Sequence, residues 1–93
     1  MLASGPQHLD LDCGISHTRI ESWLDDELAL PRDGRGWVFA LGNQLCRIEV
    51  DQLESRVFGA IALERSRLKA MGDAEALAAF EKLFTLRFIS AGG

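Results

Sequence analysis

The chain has 93 residues, 47% hydrophobic and 26% charged, with a formal net charge of −4. That length holds one domain over residues 1–93, and the apolar share excludes a disordered chain. The acidic balance removes the attraction to phosphate on which nucleic-acid binding depends, and no apolar run approaches the ~18 residues of a membrane span.

A domain this small buries only about 60–65% of the surface of its unfolded chain. Its core is thin, and a partner or a second copy would help it. Cys13 and Cys46 form no CxxC pair and no disulfide framework. No basic-then-apolar leader opens the chain, so a cytoplasmic protein with free thiols is expected.

Met1 to Gln7 reads as a loose end. In "HLDLDCG", Leu9 and Leu11 alternate with His8, Asp10 and Asp12. Residues 1–14 therefore form an extended arm or a short edge strand. The first helix is signalled by Thr18 with Glu21 three residues on, the capping-box spacing. Ile20, Trp23, Leu24 and Leu28 follow on one face, and Pro31 ends the helix by pushing Leu30 out of the α region. "RDGRG" is a loop.

Trp37, Phe39 and Leu41 then share one face of a strand, and Cys46, Ile48 and Val50 one face of the next. Gly42-Asn43 joins the two in a turn that needs positive φ at the glycine. Residues 52–71 fit a helix or a strand. Val57, Phe58 and Ile61 favour a strand and Gly59 disfavours a helix, so a third strand is expected over about 55–64, completing a meander. The last helix begins near Ser66 or at Asp73, where Gly72-Asp73 makes a break and Asp73 a cap. Leu77, Phe80, Leu83, Phe84 and Phe88 are its apolar stripe. The expected class is α+β: N-terminal helix, three-stranded antiparallel meander, long C-terminal helix.

His8, Asp10, Asp12, Cys13 and His17 are the densest set of metal-ligand types. Their spacing matches no common zinc pattern, so they read as a polar edge followed by a loop and no metal is assigned. Cys13 with His17 lacks an orienting third group, and Cys46 faces inward as a core thiol. Asp25, Asp26 and Glu27 are a solvated helix face, and Arg65, Arg67 and Lys69, with Glu64 beside them, are a solvated surface. Gly34-Arg35-Gly36 falls short of a phosphate loop. No catalytic residue, enzyme activity or cofactor is therefore expected. What remains is apolar area. Trp23, Trp37, Phe39, Phe58, Phe80, Phe84 and Phe88 exceed what two helices and three strands can hide. One sheet face or the last helix should stay open to a protein partner or a second copy.

"LALPRDGRGWVFALGNQLCRIEV", "RVFGAIALE" and "LAAFEKLFTLRFISAGG" together resemble the first half of the class I type III secretion chaperones of bacteria, a Tir-chaperone-like family. The resemblance covers roughly Thr18 to Gly93. It implies a small cytoplasmic homodimer that holds an extended segment of a secreted effector. It implies a client surface at Ile20, Trp23, Leu24, Trp37 and Phe39, and a dimer interface at Leu77, Phe80, Leu83, Phe84 and Phe88. In the family further strands follow glycines like those at Ala91-Gly92-Gly93. The alternatives are a small regulatory protein acting by protein contact, or a metal or thiol enzyme built on His8, Asp10, Asp12, Cys13 and His17.

Overall fold

The computed structural model describes residues 7–89; the glycine turn at Ala91–Gly93 lies outside them, and so does the expected loose end Met1–Gln7 except for Gln7, which begins β1. The chain runs as β1 (Gln7–Cys13), α1 (His17–Ser22), β2 (Arg32–Asp33), β3 (Gly36–Leu41), β4 (Gln44–Phe58), β5 (Ile61–Gly72) and α2 (Ala74–Phe84). Each helix continues into a π-helical turn, over Trp23–Glu27 and Thr85–Ile89. The strands form one antiparallel sheet in the order β1-β5-β4-β3-β2.

This corrects the three-stranded meander. The stretch expected as one strand over 55–64 contains a turn, Gly59-Ala60, with Phe58 paired to Ile61 across it. Val57, Phe58 and Ile61 do favour strands, but they belong to two of them. Residues 66–72, read as a start for the last helix, are the rest of β5. β1 then pairs along β5 from Gln7↔Gly72 to Cys13↔Ser66, closing an edge between segments far apart in sequence.

The β3–β4 turn forms as its sequence dictates, with Gly42 at φ 61°. The cap of α1 lies two residues before the expected one. Ser16 is the N-cap, its Oγ accepting from Arg19 N–H at 3.3 Å, while Glu21 pairs with His17 at 2.8 Å instead of reaching back. Asp73 occupies the N-cap position of α2, yet its carboxylate accepts from Leu45 N–H at 2.9 Å. The side chain of Gln44 serves the helix, its Oε1 accepting from Glu75 N–H at 3.2 Å. Asp73 thus ties α2 to the first residues of β4.

Both helices pack on one face of the sheet. That face carries Leu11 and Cys13 of β1, Leu68 and Ala70 of β5, Cys46 and Ile48 of β4, and Trp37 and Phe39 of β3. Trp23 links the layers, its ring 5.7 Å from Phe80, 6.0 Å from Phe84 and 5.3 Å from Phe88. Small residues Ala70 and Ala76 are buried between sheet and helix, letting α2 approach closely. The opposite face is polar: Glu49 lies opposite Lys69, and Asp51 opposite Arg67. Rows of opposite charge thus cover much of that face, beside exposed Leu45 and Met71.

Trp37 shows how the core is closed at its rim. Its indole N–H donates to Asp25 at 2.8 Å, and Asp25 also accepts two bonds from Arg32, at 3.1 and 2.9 Å. The Arg32 guanidinium lies 4.3 Å over the Trp37 ring. These bonds, Arg32 first and Trp37 second, hold the Asp25 carboxyl below its ordinary value. A depressed carboxylate stabilises the fold above its unfolded value and loses that contribution as pH falls through the folded one. Asp25→Asn should therefore lower the urea midpoint at pH 7, and the deficit should shrink toward pH 2. A deficit unchanged across that range in a urea–pH series would show that the carboxylate charge is not what closes the rim.

Candidate functional site

The pairing of β1 with β5 ends at Cys13↔Ser66, and that of β3 with β4 at Trp37↔Ile48. Beyond those points β4 and β5 pair only with each other, from Leu53↔Arg65 to Phe58↔Ile61. A β-bulge between Leu53 and Arg56 adds one residue to β4 there. The hairpin runs on past its neighbours and contributes to a long axis of 50 Å against 30 Å in the other two directions. Among the described residues both outer edges of this distal half have no strand partner, so their outward N–H and C=O groups are open to pairing.

The side chains there are apolar. Val57 is 66% exposed, Ile61 61%, Phe58 55% and Leu63 50%. By register Phe58, Ile61 and Leu63 share one face with Arg56, and Val57 and Ala62 share the other. A hairpin apolar on both faces cannot be covered by its own sheet, which offers one face to two helices. Leu45 and Met71, also exposed, sit on strands with neighbours on both sides, Leu41 lies at the end of β3, and Leu83, Leu86 and Ile89 lie on the last helix and its π-helical turn. At the distal hairpin four exposed apolar side chains coincide with free backbone.

A groove of about 590 Å³ runs along the β5 side of the hairpin base. Ile15 and Arg19 border it on the α1 side, and Leu63, Glu64 and Arg65 on the hairpin side. Arg65 reaches Asp12 at 2.5 Å, and Arg67 reaches Asp10 at 2.9 Å, so the residues read as a solvated basic face hold β1 in place. A signal for this lay in the sequence. Arg65-x-Arg67-x-Lys69 has the same two-residue period as Asp10-x-Asp12, and the two match in charge across strands.

The residues expected to bind a client, Ile20, Trp23, Leu24, Trp37 and Phe39, are all buried in the core. So are Leu77, Phe80 and Phe84 of the expected dimer stripe; Phe88 is half-buried and Leu83 lies at the surface. The two sets pack against each other, Phe39 and Phe80 at 5.7 Å. The sequence points to Val57, Phe58 and Ile61 as members of one ordinary strand over about 55–64. The missed signal is the uncharged run Val57–Leu63, whose apolar residues fall on both faces of any strand.

The five metal-ligand types are not brought together. His8, Asp10 and Asp12 lie on the polar face of β1, Cys13 turns to the core, and His17 is held by Glu21. Burial, and then Asp12, pushes the Cys13 thiol up. Burial, and then Asp73, pushes the Cys46 thiol up to about 11. Both thiols are therefore protonated at neutral pH and shielded from reagents. Among the described residues no helix is long and apolar enough to cross a membrane. Comparison with protein-family models, curated proteins and solved structures returned no match.

Proposed function

We propose that the chain is a non-catalytic protein-binding protein that takes an extended segment of a client on its distal hairpin. The observation that carries this is the coincidence of exposed Val57, Phe58, Ile61 and Leu63 with unpaired strand edges. Main-chain bonds along a free edge supply affinity, and alternate side chains supply selectivity. A small cytoplasmic chaperone or adaptor of a bacterial type III secretion system is the form of this activity that the sequence resemblance favours. β1, β2 and the long hairpin are departures from that family's meander, and the binding surface moves from the helix and sheet core to the hairpin.

The double variant Phe58→Asp/Ile61→Asp tests the reading. Both positions are exposed, so the melting temperature should move by only a few degrees, as for surface changes of about 0.5 kcal/mol or less each. Used as bait in the same bacterial extract, the variant should lose at least about tenfold of the partner that the wild type retains, because a charge in an apolar contact costs more than one decade of affinity. A variant that keeps the same partner at the same yield defeats the proposal.

A further inference from the structure

We infer that the free edge of β5 over Ile61–Arg65 is a strand-addition site for an extended peptide segment in which acidic and apolar residues alternate. This rests on the reading of the hairpin as the binding surface and names what that surface takes.

The site begins where β1 ends. β1 occupies the edge of β5 from Gly72 to Ser66 and then turns away through Gly14 into α1. A side chain added at Gly14 would meet nothing within 4 Å, so the space beside the end of β1 is open. The groove of about 590 Å³ fills that space, and it is lined by four successive residues of β5, Ala62 to Arg65. Successive residues point to opposite faces of a strand, so a groove that touches all four lies against the strand's edge. That is the position of a sixth strand. At about 3.3 Å per residue, five residues give an edge of roughly 17 Å.

The charge of the groove selects the segment. Arg19, Arg56 and Arg65 line it against Asp12 and Glu64. Arg65 is held by Asp12, whereas Arg19 and Arg56 make no ion pair among the described residues. The groove is thus a positive spot on a chain of net charge −4, suited to carboxylates. β1 shows which pattern fits β5. In it Leu9 and Leu11 face the core while Asp10 and Asp12 meet Arg67 and Arg65. A segment continuing that line would set its apolar residues toward Ile15 and Ala62 and its carboxylates toward Arg56, on the face where Asp10 and Asp12 lie.

The probe is an acetylated, amidated hexapeptide, Leu-Asp-Leu-Asp-Leu-Asp, titrated into the isotope-labelled full chain and followed by amide resonances. Shifts and slowed exchange are expected at Ile61–Arg65 and at Gly14. The peptide with lysine for aspartate should bind about tenfold more weakly, and one N-methylated at alternate nitrogens should not bind, having lost its strand donors. Arg56→Glu should weaken the acidic peptide about fivefold while the melting temperature holds. Shifts confined to other residues, equal binding of the lysine peptide, or indifference to N-methylation would each overturn the inference. So would the same amide shifts arising with protein concentration alone, which would make the occupant a second copy. If the Phe58→Asp/Ile61→Asp bait loses its partner while the acidic peptide leaves the β5 edge untouched, the strand-addition site fails and the hairpin reading stands. If that bait keeps its partner, the hairpin reading fails whatever the peptide does.

Discussion

Phe80→Ala should destabilise the domain by about 3–5 kcal/mol, the range for emptying a buried aromatic site. Phe80 has no exposed surface and stands between Trp23 and Phe39, 5.7 Å from each ring. It therefore joins α1, α2 and β3 at one point, and none of the three can close over the gap alone. A domain of this size is stable by roughly 5–14 kcal/mol, so the loss removes a large part of the whole. At about 4–8 °C per kcal/mol for small domains, the melting temperature should fall by at least roughly 12 °C. A urea midpoint that shows less than about 1.5 kcal/mol of loss would mean that the helices do not share this site.

Gly72→Ala should cost about 2–4 kcal/mol by combining backbone strain with overpacking. Gly72 ends β5 at φ 156°, paired on one side with Gln7 and on the other with Cys46. A Cβ there would strike the Leu45 carbonyl and lie 2.6 Å from Cys46 Cα and 2.9 Å from Cys46 Cβ. The first two obstacles are main-chain atoms, so no rotamer relieves them and β4 must move. Moving it also disturbs Asp73, whose N–H donates to the Leu45 carbonyl at 2.9 Å and whose carboxylate accepts from Leu45 N–H at 2.9 Å. The docking of α2 is thereby loosened. Gly14→Ala is the internal control. Nothing lies within 4 Å of its added methyl, and its stability should stay within about 0.5 kcal/mol of the parent. Equal denaturation midpoints for the two alanine variants would refute the close approach of β4 and β5 at Gly72.

Local signals carried part of this fold and missed the rest for one reason. The Gly42-Asn43 turn, the helix around Trp23 and the break before Asp73 depend on residues a few positions apart, and each is read from spacing. The pairing of β1 with β5 depends on residues more than half a chain apart, which no local period reports. The second turn was hidden because Val57 through Leu63 is apolar on both sides of Gly59-Ala60, so the chain shows no polar punctuation where it reverses. The fate of the aromatic residues was equally out of reach. An apolar helix stripe has one appearance whether it covers its own sheet or another molecule, and here a five-stranded sheet supplies enough area to absorb both helices. Part of the surplus apolar surface then falls on the hairpin that outgrows the sheet.

The β1–β5 seam also sets an order of events. β3 and β4 are neighbours through a two-residue turn, and β4 and β5 through another, so both hairpins can close quickly and locally. β1 must wait for a strand that lies most of the chain away, and closing so long a loop is slow. During synthesis it leaves the ribosome before the other described elements and finds its place after nearly all of them. In that interval Asp10 and Asp12 keep a bare strand soluble.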